Sequence, residues 1–157
     1  MSREDSTVIN EEVLIRLLEK AISMEEANIN ILLKLFVAED DESGRKKLYE
    51  LLRDSEYHKV RLMECLRTIK GGEEAEPVKF KQYEFEDMLY AEKAAILRKV
   101  VLVLRDFHTY LLEDVEHAVA EGTINGSVAE RVTSCLETIL KGKQRHMGIV
   151  REIWRSY

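Results

Sequence analysis

Two histidines, His58 and His146, occupy equivalent places in two helical stretches of this chain, each inside an apolar stripe. An imidazole inside a helical bundle is a good ligand for iron or zinc, and a glutamate three residues earlier, one turn back on the same face, would add a carboxylate to the same ion. Those earlier positions hold Ser55 and Lys143. Serine leaves space and a weak donor but no bridging carboxylate; a protonated lysine cannot ligate, and its ammonium would instead replace the positive charge of an ion. Glu25 completes the set. It falls in the middle of the stripe Leu14, Leu18, Ile22, Ile29, Leu32 and Phe36, where a carboxylate is costly unless paired.

The elements that must position these groups follow from periodicity. Asn10 is suited to cap a first helix over about residues 10–38, roughly 40 Å long, that ends at the acidic turn Glu39 to Ser43. A second helix is expected over 44–70, stopped by Gly71-Gly72, and the acidic stretch Glu73 to Glu76 with Pro77 opens a long connection. A third helical pattern covers 85–121, with Ala91 as a point where it could break, and Gly122 to Gly126 closes it. Ser127-x-x-Glu130 reads as a capping box for a fourth helix over 127–155. The stripes bring Ser55 and His58 inward beside Leu51, Leu62 and Cys65, and Lys143 and His146 inward beside Val132, Cys135, Ile139 and Val150. The separation 58 − 25 = 33, across one short loop, places Glu25 and His58 at similar heights on antiparallel helices. Both acidic stretches, Glu39 to Glu42 and Glu73 to Glu76, read as solvated loops.

Composition bounds the function. A chain of 157 residues with 45% hydrophobic content, one proline and seven glycines reads as one all-α domain spanning 1–157. The net charge of −6, with no basic cluster, argues against nucleic acid and anionic membranes as partners. No run approaches the ~18 apolar residues of a membrane span and the start lacks a signal-peptide pattern, so a cytoplasmic location is expected. Cys65 and Cys135, far apart in sequence on apolar faces, read as reduced core residues. The run Val100 to Leu104 is apolar all round, so Leu102 faces away from the main stripe, which suggests a homodimer through helix three.

Short loop, long crossover, short loop is the connectivity of the ferritin-like antiparallel four-helix bundle. The segments Leu51-Leu52-Arg53-Asp54-Ser55-Glu56-Tyr57-His58-Lys59 and Leu140-Lys141-Gly142-Lys143-Gln144-Arg145-His146 resemble the second and fourth helices of rubrerythrin-like proteins, with the glutamates changed to Ser55 and Lys143. The resemblance implies a diiron ancestry in which Glu25, His58 and His146 match the ligand pattern. The helix-three ligand stays open. Asp114 and His108 lie on the two shoulders of the stripe Leu97, Leu104, Leu111 and Val115. Equal spacing instead selects Glu113, with Glu116 one turn on, although a helical wheel turns Glu113 toward water. Asp114 ranks first, giving a metal set of Glu25, His58, Asp114 and His146. Three readings follow: a single iron or zinc ion with a peroxidase- or ferroxidase-like role; a metal-free, non-enzymatic bundle held by a Glu25–Lys143 pair and serving assembly or protein interaction; or a plain helical adaptor unrelated to ferritins, which explains the stripes but not the paired polar layers.

Overall fold

The computed structural model describes residues 8–70, 83–85 and 87–155, and the expected stops at Gly71-Gly72 and Glu73 to Pro77 lie outside these. The protein is an all-α four-helix bundle: α1 Glu11–Ala38, α2 Glu42–Lys70, α3 Tyr90–Ala120 and α4 Gly126–Glu152. Asn10 caps α1 as expected, its side chain accepting from the Val13 backbone N–H at 2.9 Å. Several boundaries differ from expectation: α2 begins at Glu42 rather than at 44, α4 ends at Glu152 rather than at 155, and two further starts have a visible cause. Helix α3 begins at Tyr90 rather than at 85, without a break after it, because Phe85 is used as a buried core residue ahead of the helix. Helix α4 is capped by Asn125, which accepts from both the backbone N–H and the hydroxyl of Ser127. Ser127 is thus already helical rather than the cap.

Helix α1 packs against α2 and α3, and α4 against α3 and α2, so α1/α4 and α2/α3 are the diagonals. The core resolves the directions. One apolar cluster joins the starts of α1 and α4 (Leu14, Leu18, Val132, Cys135) to the ends of α2 and α3 (Leu62, Cys65, Leu111, Val115). A second joins the ends of α1 and α4 to the starts of α2 and α3, through Leu32, Leu35, Leu48, Leu51, Leu97, Val101 and Val150. Helices α2 and α3 therefore run parallel on a diagonal, and the chain returns to the opposite end of the bundle between them. That is the long-crossover connectivity.

The second cluster is locked at its end by Glu39, which the sequence assigned to a solvated loop. Its side chain is 1% exposed. It accepts from Trp154 Nε1 at 2.6 Å, Tyr90 Oη at 2.9 Å and the Asp41 backbone N–H at 3.0 Å. One carboxylate so ties the α1–α2 turn to the start of α3 and the end of α4, with Trp154 held at a positive φ of 55° to reach it. The hydrogen bonds offset the desolvation of the burial.

Candidate functional site

Between the two apolar clusters lies a polar layer, to which every helix contributes. Glu25 of α1, Ser55 and His58 of α2, His108 of α3, and Lys143 and His146 of α4 are all buried at the axis. Its centre is the pair Glu25 and Lys143, both 0% exposed, with Nζ 2.7 Å from Oε1. The two residues come from diagonal helices, so only the length of the lysine stem lets the pair form across the axis. His58 Nδ1 stands 3.9 Å and His108 Nε2 4.0 Å from the same Glu25 oxygen, and neither ring nitrogen has a hydrogen-bond partner among the described residues. The far nitrogen of His108 is anchored, Nδ1 lying 2.6 Å from the Leu104 carbonyl.

His146 occupies an adjoining place. Its Nε2 is 3.0 Å from Asp54 Oδ2, to which Arg145 also binds, and its ring lies 5.4 Å from that of His58. Burial would raise the Asp54 carboxyl, but hydrogen bonds from Arg145 and His146 and the neighbouring positive charge hold it below its ordinary value. Burial, reinforced by the positive charge of Lys143, lowers His58 to about 2 and His146 to about 4. The same causes lower His108 despite the opposing pull of Glu25. Three of the chain's four histidines are thus held neutral around one buried ion pair.

The sequence-assigned residues separate into those brought together and those not. Glu25, His58, Lys143 and His146 meet at the axis, and Ser55 accepts a 2.9 Å hydrogen bond from Asn28 Nδ2. From α3 it is His108 that enters the layer. Asp114 is half-buried and lies six residues further on, about 9 Å along the helix. Glu113 and Glu116 are exposed. His108 falls four residues after Leu104 and three before Leu111, on one shoulder of the stripe. Asn28, three residues after Glu25, and Asp54, which orients His146, were missed, although Asn28 lies on the inner face between Glu25 and Ile29.

Gly142 makes the layer possible. A Cβ there would lie 2.4 Å from His58 Nε2 and 2.6 Å from Cε1, so the imidazole rests against bare α4 backbone. The ring is 2% exposed and His146 flanks it at 5.4 Å. Gly142→Ala should therefore destabilise by about 1–3 kcal/mol through overpacking, although alanine favours a helix interior by about 1 kcal/mol. A urea titration checks this, and pairing the change with His58→Ala should recover much of the loss. A stabilised single variant would show that His58 can withdraw.

The arrangement does not suit a resident cation as it stands. The ammonium of Lys143 stands on the same Glu25 oxygen that His58 and His108 face, and so takes the carboxylate a cation would use. Among the described residues no group of three or more His, Cys, Asp or Glu is disposed to hold a metal. Also among them, no helix is long and apolar enough to cross a membrane. Compared with protein-family models, curated proteins and solved structures, the chain has no match.

Proposed function

We propose that this protein is a non-enzymatic bundle of ferritin-like, rubrerythrin-related descent, in which the Lys143 ammonium has taken the place of a metal and the outer surface serves assembly as a homodimer. The observation that carries this reading is the fully buried 2.7 Å contact between Lys143 Nζ and Glu25 Oε1. A cation at that point supplies the charge that a buried carboxylate needs, with no ion required. The polar layer then acts in specifying the register of four helices. The assembly part rests on α3, where Val103 (50%), Tyr110 (48%) and Leu102 (38%) are exposed apolar or aromatic side chains.

A second reading, a single iron or zinc ion, is favoured by the unpartnered His58 Nδ1 and His108 Nε2 facing Glu25. It would require the ion to displace Lys143. Elemental analysis and a visible spectrum of protein purified without chelator separate the two. The first reading expects metal far below one equivalent per chain and no iron band; one tightly held equivalent, retained through dialysis, would overturn it. For assembly, sedimentation equilibrium should give twice the 18.3 kDa chain mass, falling to the single-chain mass in Leu102→Glu/Val103→Glu. A wild-type protein that stays monomeric at high micromolar concentration would remove the dimer.

A further inference from the structure

The two cysteines, which the sequence placed far apart, meet in the fold. Asp54 contacts His146 and His58 rests on Gly142, so four residues forward on α2 match four residues back on α4. Seven further residues on each, two helical turns, lead from His58 to Cys65 and from Gly142 to Cys135 on the same facing seam. Both thiols are free and buried in the same apolar cluster, and both line one groove of about 560 Å³ together with Arg61, Thr68 and Arg131. Arg61 Nε is buried there without a hydrogen-bond partner among the described residues.

The electrostatics divides the roles. The neighbouring Cys135 thiol holds the Cys65 thiol below its ordinary value; burial opposes this, while Arg61 and Arg131 reinforce it. The adjacent Cys65 thiol, followed by burial, raises Cys135. Cys65 is also the more exposed of the two thiols, 7% against 3%, which makes it the candidate nucleophile and Cys135 the candidate resolving partner.

We propose that Cys65 and Cys135 are a redox pair, in which a hydroperoxide entering the Arg61–Arg131 groove oxidises Cys65 and Cys135 then closes a disulfide that staples α2 to α4. In the first step the Cys65 thiolate attacks the terminal peroxide oxygen; an S–O bond forms, the O–O bond breaks, and the departing alkoxide or hydroxide takes up a proton beside Arg61. In the second, the Cys135 sulfur, giving up its proton, attacks the sulfenic sulfur; an S–S bond forms and the S–O bond breaks, releasing water. Two thiols lose two electrons and two protons, and the hydroperoxide becomes an alcohol, or water, plus water. This site is separate from the axial layer and does not depend on its reading.

The test treats folded, reduced full-length protein with hydrogen peroxide and follows thiols and peptide masses. The expected result is loss of both thiols, a mass decrease of two hydrogens, and a reducible link between tryptic peptides 62–67 and 132–141. In Cys135→Ser, dimedone should trap a sulfenic acid on Cys65 faster than it labels Cys135 in Cys65→Ser, because Arg61 and Arg131 both favour a Cys65 thiolate whereas Glu64 opposes Arg61 at Cys135. The wild-type experiment stands by itself, independent of any loss of stability in the variants. Thiols that persist in the folded protein but disappear after unfolding in urea, or disulfides that form only between chains, would overturn the pair. Equal labelling in the two variants would overturn the assignment of nucleophile.

Discussion

Lys143→Met should lower the unfolding free energy by about 3–5 kcal/mol, because it leaves the Glu25 carboxylate buried without its counter-charge. Total stabilities of domains this size are about 5–15 kcal/mol, so the loss is a large part of the whole. The geometry leaves few alternatives: Glu25 is 0% exposed, and the other titratable groups within 4 Å of it among the described residues are His58 Nδ1 at 3.9 Å and His108 Nε2 at 4.0 Å. Those imidazoles are the only described groups within 4 Å that could take a proton and replace the ammonium. Removing Lys143 also removes a charge that holds His58 low. The His58 ring should therefore titrate at higher pH in the variant, which proton NMR can follow. Glu25→Gln combined with Lys143→Met should recover most of the stability, since a neutral amide and a thioether leave no orphaned charge. Urea midpoints for the two single variants and the double variant make the comparison; a Lys143→Met loss below about 1 kcal/mol would mean that water reaches the layer and the pair is not structural.

Acidification should destabilise the bundle from just below pH 6.5. In the unfolded chain His58 and His146 take up protons near 6.5, whereas in the fold they stay neutral until about 2 and about 4. Below 6.5 the unfolded state therefore binds more protons than the folded one, so stability falls as pH falls; above it these two groups contribute no slope. Each such histidine is worth about 1.4 kcal/mol per pH unit, giving roughly 2–3 kcal/mol per unit for the two between pH 6 and 4. His108, lowered by burial, acts with the same sign. Asp54, held low mainly by Arg145 and His146 against its burial, adds a further loss once the pH drops under its unfolded value of 3.8. Urea midpoints between pH 7.5 and 4.5 measure the slope, and His58→Gln should reduce it by about one histidine's share. A midpoint unchanged from pH 7 to 5 would show that the histidines are not held neutral.

How much of this was legible can be seen residue by residue. Helix α1 was readable almost to its last residue because its stripe is long and Asn10 is an unambiguous cap. Helix α3 was read five residues too early, since Phe85 carries the apolar signal of a helix while packing as an isolated core side chain. Glu25 and Lys143 stood out as charges on apolar stripes, and their pairing was anticipated because a buried charge demands an opposite one. Asp114 and His108 lay on opposite shoulders of one stripe, and a wheel cannot tell which shoulder turns to the axis. Glu39 read as loop because hydrogen bonds from Trp154 and Tyr90, more than fifty residues away, leave no mark on local composition.

The sequence alone determined the four helices, their inner faces and the charges that those faces bury, because periodicity and the cost of an unpaired charge act locally. Tertiary structure decided that His108 completes the axial layer, that Gly142 gives way to His58, and that Cys65 meets Cys135. Each of these depends on the rotation and register of one helix against another, which the packing of all four settles together.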